Sequence, residues 1–135
     1  MKNFELKILT PTGEAFSGEV KELFVRTTAG EVGILAGHTD YLAGIVPCAA
    51  KLTDGEGKER VAFCGGGFLS VVAGGMSLVV DELIFAESMD AERIRAERDS
   101  LASQLSACDV KKQPERAEFL KTSLARAEAK LKACE

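Results

Sequence analysis

No cysteine in this chain stands two or three residues from another, so the close pairs from which zinc sites are built are missing. Cys48, Cys64, Cys108 and Cys134 are widely spaced, and His38 is the single histidine. A metal site is therefore not expected, and isolated cysteines of this kind read as small core hydrophobes. No uninterrupted apolar run approaches the roughly 18 residues that a membrane-spanning helix needs. Excess positive charge is also missing. The net charge is −4, with no basic stripe of the sort a nucleic-acid binder carries. Met1 to Leu6 include Lys2 and Glu5 and have no apolar signal-peptide core, so the expected location is the cytosol or the cytosolic side of a membrane. What is present, 46% apolar and 28% charged residues among 135, describes a globular chain of one domain, or a small domain with an appendage.

Glycine is unevenly distributed: all 13 precede Met76, and none follows it. Because glycine serves tight turns and weakens helices, this divides a turn-rich region from a helical one. In the first region Phe4, Leu6 and Ile8 alternate with Glu5 and Lys7 until Pro11-Thr12-Gly13 turns the chain. Val20 to Thr28 reads as a second strand. Asp54-Gly55-Glu56-Gly57 reads as a turn between strands at 49–53 and 60–64, and Gly74-Gly75 as a turn between strands at 68–72 and 77–80. Many short strands at this spacing favour an antiparallel β-sandwich or flattened barrel.

Near Met89 the period changes. Asp90 suits an N-cap, Met89 and Ile94 stand in the hydrophobic-staple relation, and Glu92 complements the positive helix start. Ile94, Leu101, Leu105 and Cys108 share one face; residues 109–113 interrupt it; and Pro114 suits the first position of a second helix. There Ala117, Leu120, Leu124, Ala127, Leu131 and Cys134 recur by threes and fours. Two helices with a short link predict an antiparallel hairpin over 89–135, appended to a β domain over 1–88. Its seam of leucine, alanine and cysteine offers about 2 kcal/mol per buried leucine against about 1–2 kcal/mol of ordering per residue, so the hairpin needs something to dock on.

Catalytic residues are not expected. His38 with Cys64, beside Gly65-Gly66-Gly67, would make a base and a nucleophile near an amide-rich pocket. The alternative is a rim histidine and glycines that allow close strand packing, and it is the favoured one. The triple glycine is no phosphate loop, because no Gly-Lys-Ser/Thr follows it. Asp81 and Glu82 read as solvated strand-end charges.

The run Ala29-Gly30-Glu31-Val32-Gly33-Ile34-Leu35-Ala36-Gly37-His38 resembles the G-E-x-G-I-x-x-G-H signature of the epsilon subunit of F-type ATP synthases. Thr10-Pro11-Thr12-Gly13, Gly65 to Val71 and Ser123 to Leu131 match in order along the chain. The resemblance implies a non-catalytic subunit with a sandwich of about ten strands and a helix-turn-helix. It implies a place in the central stalk, at the cytoplasmic face of the inner membrane, where the sandwich joins the gamma subunit to the c-ring during proton-driven ATP synthesis beneath the alpha/beta headpiece. It also implies that a loop holding Glu31 and Gly33 faces the c-ring, with His38 at the rim. After the histidine the chain departs from the family's Ala-Pro-Leu with Thr39-Asp40-Tyr41-Leu42, and the carry-over stops there.

The helices resemble the family's regulatory element, which folds beside the sandwich or extends along gamma and impedes ATP hydrolysis. Some members bind ATP through I/L-D-x-x-R-A. Here the segment is Met89-Asp90-Ala91-Glu92-Arg93-Ile94, which keeps the acid and the arginine and changes the flanking apolar positions. The resemblance thus implies no resident cofactor, with regulatory ATP held by Asp90, Arg93, Arg126 and Lys130. The lysine stands where the family has an arginine and forfeits bidentate geometry.

Overall fold

The computed structural model describes residues 3–37, 40–72 and 75–135. Nine strands come first among them: β1 (Phe4–Thr10), β2 (Gly13–Thr27), β3 (Gly30–Leu35), β4 (Tyr41–Ile45), β5 (Cys48–Asp54), β6 (Glu59–Cys64), β7 (Gly67–Val72), β8 (Gly75–Val80) and β9 (Leu83–Phe85). A single 3-10 turn, Ala86–Ser88, leads to α1 (Ala91–Ala107) and α2 (Pro114–Cys134).

The strands form two layers that share β2. The first half of β2 pairs with β1, and the path runs on through β8, β7 and β4 back to Thr27 of β2. The second half pairs with β3 on one side and with β5 on the other, continuing to β6 and β9. Leu6, Ile8, Val20, Leu23, Val25, Ile34, Leu69 and Leu78 fill the space between the layers and have almost no exposure. Alternation selects them, because a strand's side chains point to opposite faces in turn.

The sandwich is antiparallel except at one pairing: β1 lies parallel to β8. Neighbours joined by a tight turn must run antiparallel, whereas six strands separate β1 from β8, and no turn fixes their direction. A second difference concerns Glu31 and Gly33. The stretch expected as a loop is strand β3, with Ile34 fully buried and Val32 packed against the core. The apolar residues at 32 and 34 supply the period-two signal, which the surrounding glycines obscure.

At the β5–β6 turn, Asp54 Oδ1 accepts from the backbone N–H groups of Glu56 and Lys58, each at 2.9 Å. These donors hold the Asp54 carboxyl below its usual range.

Asp90 caps α1, its carboxylate accepting from the N–H groups of Glu92 at 3.1 Å and Arg93 at 3.3 Å. Pro114 occupies the first turn of α2. The two helices pack on each other, and α2 lies against β5 and β6. Ala117, Leu120, Ala127 and Ala133 are its buried positions, while Ile94 alone is buried on α1. Among the described residues no helix is long and apolar enough to cross a membrane.

Candidate functional site

Two surfaces of the sandwich carry the residues of interest. On one, the outward face of β5–β6, Ala49 stands opposite Phe63 under α2. Phe63 has no exposure and receives two cations from the helix: the Arg126 guanidinium at 5.1 Å and the Lys130 ammonium at 5.2 Å from its ring centroid. Both distances suit an attraction between a cation and the aromatic face.

The same cations are also held by carboxylates. Arg126 Nη1 donates to Asp81 Oδ2 at 3.1 Å and Nη2 to Glu82 Oε1 at 2.9 Å, while Lys130 Nζ lies 3.8 Å from Glu82 Oε1. Asp81 and Glu82 are therefore the acceptors of an ion-pair cluster that fastens α2 to the sandwich, and not merely solvated strand ends. Arg126 and Lys130 are the more buried partners, at 25% and 21% side-chain exposure.

The triple glycine positions these acids. The Gly65 N–H donates to the Glu82 carbonyl at 2.8 Å, and the Asp81 N–H to the Gly66 carbonyl at 3.0 Å. A Cβ on Gly65 would stand 1.8 Å from Asp81 Oδ1, and one on Gly67 would stand 1.9 Å from the Val79 carbonyl oxygen. At Gly67 the obstacle is backbone, so that position needs a residue without a side chain, whereas at Gly65 a side chain would displace the Asp81 carboxylate. The same connection that resembles a family glycine hairpin thus presents Asp81 and Glu82 to α2.

Of the four residues expected at a nucleotide, Arg126 and Lys130 come together on Glu82. Asp90 and Arg93 sit at the start of α1, where the Asp90 carboxylate is engaged with backbone amides. No hydrogen bond or ion pair joins these two pairs among the described residues. On the outer part of β3, Glu31 lies 3.7 Å from Arg26, and Gly33 stands opposite Phe24. His38 falls outside the described residues, as does any geometry between it and Cys64. Cys64 itself has no exposure, and the neighbouring Cys48 thiol together with burial pushes its own thiol up. An initiating nucleophile at neutral pH requires the opposite shift.

The second surface is the outward face of β4–β7. Leu42 stands opposite Ser70, and Gly44 opposite Phe68, so Leu42, Phe68 and Val72 project from one side of the pair. They are 73%, 48% and 60% exposed. The helices lie against the other layer and leave this one uncovered. Sequence reading assigns Phe68 and Val72 to a strand without telling the core side from the outer side, since both sides of β7 carry apolar residues, and it assigns no strand to Leu42.

Residues 3–86 match the family profile described as the ATP synthase, Delta/Epsilon chain, beta-sandwich domain. A curated relative, the ATP synthase epsilon chain of Cutibacterium acnes, is 33% identical over 103 residues, covering 76% of this chain and 70% of the relative. The ATP synthase epsilon chain of Clostridium acetobutylicum is 34% identical over 103 residues, covering 76% and 77%. Among solved structures, a chain of the Euglena gracilis mitochondrial ATP synthase, OSCP/F1/c-ring, superposes with a TM-score of 0.87 at 20% identity, over 98% of this chain and 82% of that one. A chain of the Tetrahymena thermophila mitochondrial ATP synthase central stalk/c-ring gives 0.60 at 18% identity, over 99% and 98%. At these identities the two structures attest the fold.

Proposed function

We infer the function of this chain from the family to which it belongs, that of ATP synthase epsilon chains: it is a central-stalk subunit of a rotary ATP synthase. It is non-catalytic and couples the gamma subunit to the c-ring, working beneath the alpha/beta headpiece at the cytoplasmic face of the membrane. It is membrane-associated through that complex alone.

The observation that carries the coupling role is the apolar face of Leu42, Phe68 and Val72, uncovered on the domain that matches the family. Contiguous exposed apolar residues mark a protein contact. The gamma subunit is the partner assigned to this face, and Glu31, Gly33 and His38 are assigned to the c-ring side. Co-purification tests the assignment. The wild-type chain brings down gamma, and Phe68→Asp with Leu42→Asp does not, while keeping its circular dichroism. Retention of gamma by the double variant removes this face from the coupling role.

Residues 89–135 form the regulatory part, a brake on ATP hydrolysis that is released or applied as the hairpin docks or extends. The cluster of Arg126 and Lys130 with Asp81 and Glu82 supports this reading, because partly exposed ion pairs make a contact that can open. Regulatory ATP is assigned to Asp90, Arg93, Arg126 and Lys130. Its phosphates would compete with two carboxylates for the second pair of cations. Titration calorimetry at millimolar ATP decides this: no heat ends the nucleotide role and leaves the stalk role standing.

A further inference from the structure

We propose that Cys48 and Cys64 are a redox site, forming a reversible cross-strand disulfide at the open end of the β5–β6 hairpin, with low-molecular-weight disulfides as its oxidant. The two residues are direct partners in the antiparallel ladder. Such partners have Cα atoms about 4.5 or 5.5 Å apart, and both separations fall within the about 4.4–6.8 Å that a disulfide spans. Direct partners also project to the same side. Here that side is the sandwich interior, where both are buried and each thiol lies within interaction range of the other.

The two sulfurs are chemically unlike. The Arg26 backbone N–H points at Cys48 Sγ at 3.5 Å, whereas the Cys64 thiol points at the Gly65 carbonyl oxygen at 3.5 Å. Cys48 is thus placed as acceptor and Cys64 as donor. The adjoining Cys64 thiol, aided by the Arg26 N–H and guanidinium, brings Cys48 down against the opposing effect of burial. Cys64 moves up, through Cys48 and burial. Cys48 is accordingly the attacking thiolate and Cys64 the resolving thiol.

Access agrees with this order. Cys48 is itself buried at 7% exposure, and residues 47–49 form part of the wall of a groove of ≈ 290 Å³ beside α2, so Cys48 is the nearer of the two to solvent. Cys64 has no exposure. In the first step the Cys48 thiolate attacks one sulfur of the oxidant RSSR; the S–S bond breaks, Cys48–S–SR forms and RS⁻ leaves. Cys64 then gives its proton to the departing thiolate, and its sulfur attacks Cys48 Sγ, expelling the second RS⁻. Two protein thiols are oxidised and one disulfide is reduced to two thiols. The new bond ties the end of the hairpin that carries Ala49 and Phe63 beneath α2.

The test uses the full chain with Cys108→Ser and Cys134→Ser, which removes the two half-buried thiols of the hairpin, equilibrated in graded mixtures of reduced and oxidised glutathione. The expected product has lost two hydrogen masses, retains no alkylatable thiol after unfolding, and joins the peptides containing residues 48 and 64 until reduced. Its rate of formation rises with pH. Adding Cys64→Ser halts the reaction at a glutathione adduct on Cys48; adding Cys48→Ser gives neither adduct nor disulfide. Two free thiols under fully oxidising mixtures, or a stable adduct while Cys64 is present, overturns the proposal.

Discussion

The sandwich and the helical hairpin are held by different kinds of contact. Between the two β layers, leucine, isoleucine and valine side chains are almost wholly excluded from water. On α2, which packs on both α1 and the sandwich, the buried positions are three alanines and one leucine, and its contact with the sandwich is supplemented by two cations on Phe63 and on two partly exposed acids. Burial of large side chains contributes stability that solution conditions change little, whereas ion pairs weaken with salt and with loss of one partner. The contact that docks the hairpin is accordingly more sensitive to ionic strength and to single substitutions than the interior of the β domain.

The largest expected effect comes from attacking the interior of the β domain. Leu78→Ala leaves a cavity in a fully buried position and should cost about 2–5 kcal/mol, read from urea unfolding followed by circular dichroism. Gly67→Ala should be at least as damaging, because its Cβ meets the Val79 backbone and not a movable side chain. If either is tolerated with an unchanged midpoint, the interior is less close-packed than its burial implies.

Next in size is release of the hairpin. Arg126→Ala removes both carboxylate contacts and one cation on Phe63, and should cost the docked state about 1–2 kcal/mol, given that partly exposed pairs contribute about 0–1 kcal/mol each. Hydrogen exchange should speed up in α2 and on β6 around Phe63 while β1, β7 and β8 keep their protection. A uniform increase throughout would show that the two regions unfold together, and the contrast would fall.

Smaller still is the cap: Asp90→Ala should cost about 1 kcal/mol, seen as fraying of the first turn of α1. Least of all is a pH effect at the β5–β6 turn. The folded Asp54 carboxyl titrates below its unfolded value, so its contribution is complete above about pH 4 and declines as pH falls through the folded value. Wild type and Asp54→Ala should therefore converge in urea midpoint in acid; a gap that stays constant would assign the effect to something other than the charge.

Much of this was readable in advance for local reasons. The change of period near Met89, the Asp90 cap, Pro114 and the 54–57 turn are each encoded within a few neighbouring residues, and they appear as expected. The features that were not readable are relations between distant segments. β3 was obscured by its glycines. The parallel β1–β8 pairing depends on six intervening strands. Asp81 and Glu82 looked solvated because nothing near them in sequence announces Arg126, 44 or 45 positions away. The β4–β7 face was missed because alternation shows that two faces exist without showing which one is covered.

The double membership of β2 has a mechanical consequence. Two sheets stacked face to face through apolar contact alone can slip along their common plane, since such contact has no direction. Here one continuous strand belongs to both layers, paired to β1 over its first half and to β3 and β5 over its second. Shear between the layers would have to break that strand's ladder, which is loaded along directional hydrogen bonds. A twist applied at one face is thus delivered at the other with little internal yield, as in a solid washer and unlike a pair of loose plates.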